Sequence, residues 1–286
     1  MKPAAFHYHR PRSTEEACAL LRGLDNAKVL AGGQSLVPML NFRVVQPDHL
    51  IDLNGVPDLA GVREQAGQVD IGAMTRQCAV AAAPAVARQL PLLVEALSHV
   101  GHQQTRNRGT LGGSLCHLDP AAELLTASAV LDAQLCVRSG GGTRKLAIAD
   151  WGLGYLTPAL AADELLCTVA FAPWPTGHGW AFEEFARRHG DFAIVCVAAL
   201  LARDHRGRIA RAALAVGGCA AAPIRLVAVE QALVGELPSP SLWDAAADGA
   251  RAVEAMGDSY VSAAYRQRLA GVLTRRALVR AAARLH

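Results

Sequence analysis

The chain has seven cysteines and no Cys-x-x-Cys among them. That absence argues against a zinc ribbon, a disulfide framework and an iron–sulfur cluster carried by this chain. None of the ten histidines stands in a His-x-x-x-His spacing, so no metal is expected. His117 has no partner cluster and reads as structural. Gly-x-Gly-x-x-Gly opening a helix is missing, as is Gly-x-x-x-x-Gly-Lys-Ser/Thr, and neither a Rossmann nor a P-loop site is expected. The longest apolar run, Phe192 to Ala202, lies between Asp191 and Arg203 and is too short to span a bilayer. The first ten residues lack the apolar core of a signal peptide, so the expected compartment is the cytoplasm. A net charge of +3 is too small to imply nucleic acid or membrane partners. With 52% hydrophobic and 19% charged residues, the 286-residue chain has the composition of a globular protein of roughly two domains. No internal repeat is evident.

What is present is a pair of glycine-rich loops about 75 residues apart. The first runs Val29-Leu30-Ala31-Gly32-Gly33-Gln34-Ser35-Leu36, the second Asn107-Arg108-Gly109-Thr110-Leu111-Gly112-Gly113-Ser114. Glycine permits close approach and unusual dihedrals, and consecutive backbone N–H groups make a concavity for an anion. Gly-Gly pairs also mark ordinary turns. Two such loops in one chain point to a ligand with two phosphates held from both sides.

Ser13-Thr14-Glu15-Glu16 reads as a capping box starting a helix through Leu21 that Gly23 ends. Strands are expected at Lys28 to Ala31, Asp48 to Leu53 and Gln68 to Ile71. Thr75 is placed as the cap of a helix over Cys78 to Ala83, and Pro91 to Val100 continues helically into the second loop. Strand and helix alternate to about residue 170, which predicts an α+β fold. Pro173 to Gly179 reads as a linker. Beyond it, Trp180 to Ala186, Ala193 to Ala202 and Arg208 to Val216 read as strands or buried segments. Helices are expected over Leu226 to Leu233 and Ser259 to Leu285. In the last, Arg266, Arg268, Arg275, Arg276, Arg280 and Arg284 alternate with apolar residues. That is an amphipathic helix with a solvated or subunit-facing side, and not a nucleic-acid stripe.

With both loops and the tail in view, the sequence resembles the FAD-binding medium subunits of molybdenum hydroxylases, the carbon monoxide dehydrogenase and xanthine dehydrogenase flavoprotein family. The resemblance rests on Met1-Lys2-Pro3 with Tyr8-x-Arg10-Pro11, and on Ala31 to Met39. It continues in Arg106 to Ser114 followed by His117-x-Asp119-Pro120-Ala121-Ala122-Glu123-Leu124, then Asp163 to Leu166. Arg187-Arg188-His189-Gly190-Asp191-Phe192-Ala193, Tyr265-Arg266 and Arg275 to Leu278 complete it.

The resemblance implies a two-part FAD-binding domain of the PCMH type over residues 1–176. A smaller α+β domain of the carbon monoxide dehydrogenase flavoprotein C-terminal kind would follow over 177–286. It implies that N–H groups of Gly32, Gly33, Gln34, Ser35, Gly112 and Gly113 hold the FAD pyrophosphate, with Ser35, Thr110 and Ser114 adding hydroxyls. Val29, Leu30, Ala31, Leu36, Asn107 and Gly109 belong to the same cofactor-binding set. Glu123, or Asp119 near it, would accept from the ribose; Leu166 would pack on the flavin; Asp191 and Phe192 would lie at or over the ring. The alternative for Glu123 is a charge at a helix N-terminus, and for Phe192 a place in the core. Gln34 stands where some relatives have histidine, and Glu183 and Glu184 stand near a position that is often lysine.

The resemblance further implies a large molybdopterin-binding subunit, a small subunit with two [2Fe–2S] clusters, and an acceptor such as NAD, a quinone, a cytochrome or dioxygen. A dimer of heterotrimers is the expected assembly. No catalytic acid–base residue and no covalent flavin link are expected in this chain. Flavin carries the redox chemistry and protein sets its position. An alternative keeps FAD in a self-sufficient oxidoreductase of the vanillyl-alcohol-oxidase-like type, which would need its own substrate pocket and base.

Overall fold

A computed structural model describes residues 1–286. The chain opens with β1 (His7–His9), α1 (Thr14–Gly23), β2 (Ala27–Leu30), α2 (Leu36–Asn41) and β3 (His49–Asp52). These strands form a parallel sheet in the order β1-β3-β2. Next come β4 (Val62–Gln65), β5 (Gln68–Gly72), α3 (Gln77–Ala82), α4 (Pro84–Gln89) and α5 (Pro91–His99). They lead into α6 (Gln103–Arg108), α7 (Leu111–His117), α8 (Glu123–Val130), β6 (Gln134–Ser139) and β7 (Gly142–Ala147). A small hairpin, β8 (Gly152–Gly154) with β9 (Thr157–Pro158), precedes β10 (Leu165–Phe171). Strand β10 lies at the centre of a sheet ordered β4-β5-β10-β6-β7, antiparallel to both neighbours. The last part holds β11 (Gly179–Phe185), β12 (Val195–Arg203), β13 (Ile209–Gly217) and β14 (Ile224–Arg225), paired antiparallel in that order. It ends in α9 (Val227–Leu233), α10 (Pro240–Arg251) and α11 (Ala263–Ala283). The α+β class expected from the sequence is the observed one.

The capping box is half as read. Ser13 Oγ accepts from the Glu16 amide at 3.1 Å, but the Glu16 carboxylate reaches the amide of Arg12, not that of Ser13. Thr75 does not cap a helix; its hydroxyl closes a pair of hydrogen bonds with Gly61, and Arg76 takes the N-cap position of α3. The final helix starts at Ala263 rather than Ser259, capped by the Ser262 hydroxyl. Helix α10 escaped the sequence reading, although Ser239 with Pro240 behind it is an N-cap followed by a first-turn proline.

The stretch read as a linker is pinned in place. Trp174 and His178 are buried, the Arg211 guanidinium lies 4.0 Å from the Trp174 ring centre, and His178 Nδ1 is 2.9 Å from the Pro175 carbonyl. Strand β12 explains why the two parts cannot move freely. It is buried along nearly its whole length, and its residues alternate between two cores. Cys196, Ala198, Leu200 and Ala202 join the large core of the first 174 residues; Val195, Val197, Ala199 and Leu201 pack under α9, α10 and α11. Two arginines at the end of the chain, Arg280 of α11 and Arg284 just after it, are spent on this junction. Arg280 pairs with Glu95 of α5 and Glu183 of β11, and Arg284 pairs with Glu95 while lying 4.9 Å from the Trp180 ring. Arg266 donates to the carbonyls of Ile194 and Gly218, and Arg275 to Asp244.

Phe182 of β11 is fully buried in the large core against the His99 ring of α5, 5.3 Å away. Phe182→Ala is expected to lower the unfolding free energy by about 3–5 kcal/mol through the cavity it leaves. Urea denaturation should show one transition for both parts of the chain. Two separated transitions would contradict the shared core.

Candidate functional site

Val29 and Leu30 end β2, and Ala31 delivers the chain into the loop Gly32-Gly33-Gln34-Ser35 that precedes α2 at Leu36. Gly33 has φ +75°, a left-handed conformation that side chains other than glycine adopt at a cost. Gly32 is buried against the second loop. A Cβ there would overlap the Arg108 carbonyl oxygen and lie 2.7 Å from Gly109 Cα. The two loops, remote in sequence, are therefore in van der Waals contact, backbone on backbone.

The first loop holds four free donors. The N–H groups of Gly32, Gly33, Gln34 and Ser35 donate to no acceptor in the chain; the Gln34 side-chain amide turns back to the Gly32 carbonyl at 3.2 Å. They edge a cavity of about 310 Å³ lined by Leu30, Ala31, Gly32, Gly33, Gln34, Val37, Pro38, Asp52, Asn54 and Arg108. Amides left unpaired by their own chain are what an anion satisfies, and Arg108, whose backbone meets Gly32, is the one basic residue among those lining the cavity.

The second loop is different, and this corrects the symmetric expectation. The Gly112 amide donates to the Ala73 carbonyl at 2.8 Å and the Gly113 amide to Thr110 Oγ1 at 3.0 Å. Thr110 is the N-cap of α7 and is 2% exposed, and its hydroxyl oxygen accepts from that helix. The physical reason lies outside the motif. Residues 73–75 run alongside the loop, bridged at Arg76 and Thr110, and take up its amides. Glycine at 112 makes room for Ala73, not for a ligand. Gly109 is buried and its carbonyl accepts from the Gln77 amide at 2.9 Å; Asn107 is exposed and accepts from Gln103 at 2.7 Å. Ser114, half-buried on α7, has a hydroxyl with no partner in the chain.

A polar network that the sequence reading missed ties the loops together. Asn54 Nδ2 donates to the Ala31 carbonyl at 3.1 Å and to Asp52 Oδ1 at 2.5 Å. Tyr8 donates to the other oxygen of Asp52, and Arg76 bridges Asn54 to the Arg108 carbonyl. Asp52 is 8% exposed. Burial alone would raise its carboxyl, but hydrogen bonds from Tyr8 and Asn54, with Arg10 nearby, hold it below the usual range. The available signal was a strand ending in Asp52-Leu53-Asn54-Gly55, a turn sequence with no ligand signature of its own.

The remaining expected residues lie apart from this cleft in different settings. Asp119 Oδ1 accepts from the Ala121 amide at 2.9 Å, an Asx turn leading into α8. Glu123 opens α8 at 6% exposure, and burial pushes its carboxyl up to about 7. Leu166 is 2% exposed within the large core, so its side chain packs on protein and offers no face to a flavin. Asp191 and Phe192 are exposed on the loop between β11 and β12, Phe192 at 65%, which removes the core reading for that ring. That loop rests on the turn before α6, where a Cβ at Gly190 would lie 2.7 Å from the His102 ring.

Gly32→Ala is the most economical disruption, because one methyl group forces the loops apart. FAD affinity is expected to fall at least tenfold, about 1.4 kcal/mol, with little change in far-ultraviolet circular dichroism. Undiminished FAD binding by this variant, measured by fluorescence titration, would contradict the loop contact as the basis of the site.

Residues 4–174 match the family model described as the FAD binding domain in molybdopterin dehydrogenase, and residues 180–281 match the CO dehydrogenase flavoprotein C-terminal domain. The 6-hydroxypseudooxynicotine dehydrogenase complex subunit alpha of Paenarthrobacter nicotinovorans is 38% identical, over 98% of this chain and 96% of its own length. The carbon monoxide dehydrogenase medium chain of Hydrogenophaga pseudoflava is 36% identical over 99% of both chains. A solved structure of the carbon monoxide dehydrogenase from that organism superposes with a TM-score of 0.97 over 100% of both chains at 36% identity. With free amides at the first loop and matches along its whole length, this chain belongs to the family of FAD-binding medium subunits of molybdenum hydroxylases, and its cofactor is FAD.

Proposed function

We propose that this chain receives electrons from the [2Fe–2S] clusters of a small partner subunit and delivers them to an external acceptor: NAD, a quinone, a cytochrome or dioxygen. A large molybdopterin-binding subunit would hydroxylate the organic substrate. The working assembly is a cytoplasmic dimer of heterotrimers, with residues 1–176 as the FAD-binding domain and 177–286 as the C-terminal domain. Bound FAD supplies the exchange between paired and single electrons that such a relay needs.

The observation that carries the reading is the set of four unpaired amides at Gly32, Gly33, Gln34 and Ser35 beside Arg108. They fit a pyrophosphate: neutral donors bind its oxygens and one arginine offsets its charge. Gly112 and Gly113 serve differently. They hold the second loop rigid beneath the first, and Ser114 offers the hydroxyl donor on that side. Asn54 fixes the loop from behind through the Ala31 carbonyl. Glu123 accepts from the ribose, with Asp119 shaping the turn before it. Asp191 and the exposed Phe192 ring cover the isoalloxazine, where an aromatic face stacks well.

The self-sufficient oxidoreductase is not favoured. Relatives of this chain are a complex subunit and a medium chain, and the one carboxylate of the cleft wall, Asp52, is taken up by hydrogen bonds from Tyr8 and Asn54 beside the glycine loops.

Division of labour is the test. The isolated chain should bind FAD and pass electrons from chemically reduced flavin to its acceptor, yet leave aldehydes, purines and N-heterocycles unoxidised. Turnover should appear on adding the molybdenum and iron–sulfur subunits. Substrate-dependent bleaching of the flavin in the lone chain, followed by anaerobic spectroscopy, would overturn the reading.

A further inference from the structure

Glu184 of β11 lies across from Cys196 of β12, which lies across from Gly217 of β13. The three positions share the sheet face turned toward the FAD-binding part, and the first turns of α8 cover them. Thr126 Oγ1 is 3.4 Å from Cys196 Sγ, and Gly217 leaves no space for a side chain beside that hydroxyl. Glu123 is one turn ahead of Thr126 on the same side of α8. A backbone bond, Gly218 N–H to the Pro120 carbonyl at 2.8 Å, closes the junction next to it. Two carboxyl groups therefore approach each other across the contact between the two parts of the chain.

Neither has a counter-charge. The nearest cations are committed elsewhere: Arg280 and Arg284 to Glu95 and Glu183, and Arg266 to Asp258 and the Ile194 and Gly218 carbonyls. Glu184 Oε2 is buried without a hydrogen-bond partner, and the Glu123 side chain, 6% exposed, accepts from no other residue. The other titratable groups near the pair are Asp119 ahead of α8, the buried Cys196 thiol, and His99 of α5 against Phe182. None of these supplies a cation: burial holds the His99 imidazole below its ordinary value. Two carboxylates in such a place do not both ionise readily.

We propose that Glu184 is a positioning residue of the flavin site, kept as the neutral acid so that the C-terminal sheet closes against α8 while Glu123 alone carries negative charge toward the cofactor. This rests on the reading of Glu123 as the ribose acceptor. Burial pushes both carboxyls up, Glu123 to about 7 and Glu184 to about 8; Glu123 stands in the first turn of α8, where the helix dipole favours an anion, and Glu184, with a buried oxygen that no donor reaches, is the one left neutral. Both values are raised in the folded chain. The stability they contribute is thus full in acid and is lost as pH rises through about 7 to 8.

The test uses the full chain with FAD, measuring FAD dissociation constant and thermal midpoint from about pH 6 to about pH 9. In the parent chain FAD affinity should fall as pH rises through the upper half of this range, by up to about tenfold per pH unit for a one-proton linkage. Glu184→Gln, a neutral amide of the same shape, should keep the parent's affinity near pH 7 to within about twofold, remove the fall in affinity above it and lessen the alkaline fall of the thermal midpoint, leaving the share that belongs to Glu123. An unchanged pH profile in Glu184→Gln, loss of FAD at every pH, or failure to fold would each overturn the proposal. Glu123→Gln separates the two readings. Normal FAD affinity in that variant sinks the ribose role, while the Glu184→Gln thermal profile still decides whether Glu184 is the neutral acid.

Discussion

The site depends on one contact: Gly32 against the Arg108 carbonyl and the Gly109 backbone. No side chain fits there. Two backbones meet there directly, and the loop after β2 leaves its own amides unpaired. Gly33 turns the chain away with its positive φ, and four consecutive N–H groups are left facing a cleft. Unpaired amides are costly in a folded protein unless something accepts from them.

The rest of the architecture holds that contact in register. The parallel sheet β1-β3-β2 aims the first loop, and segment 73–75 pins the second through its own amides. Asn54, Asp52, Tyr8 and Arg76 bridge the two with side-chain hydrogen bonds. Strand β12 then fastens the C-terminal part by giving alternate residues to each core. The loop carrying Phe192 is set against the turn before the second glycine loop as a result. Rigid parts on both sides suit a flavin protein, whose task is to fix the position and electrostatics of a cofactor rather than to reshape around it.

How much of this was legible in the sequence follows from how local each cause is. Ser13 and Ser262 cap helices through atoms three residues away, and the first is readable at sight. Gly33 announces its loop because positive φ is a property of one residue. Gly112 looked equivalent and is not, since the destination of its amide is fixed by Ala73, some forty positions earlier in the chain. Asn54 and Arg76 carry no motif, and their role appears only when the fold brings them to Ala31 and Arg108. Leu166 was placed by resemblance on a flavin face, yet β10 runs through the sheet centre and buries it. Phe192 shows the reverse. It opens an apolar run in sequence, but the strand begins at Val195, and the ring stays outside.

The central claim is that the first loop alone supplies the backbone donors for the pyrophosphate. Amide proton–nitrogen correlation spectra of the chain, recorded with and without FAD, test it directly. The account predicts large shifts at Gly32, Gly33, Gln34 and Ser35 on adding FAD or ADP, and none at these positions with riboflavin, which lacks phosphate. The Gly112 and Gly113 amides should stay protected from solvent exchange in every case. Shifts concentrated at Gly112 and Gly113, with the first loop unmoved, would contradict it.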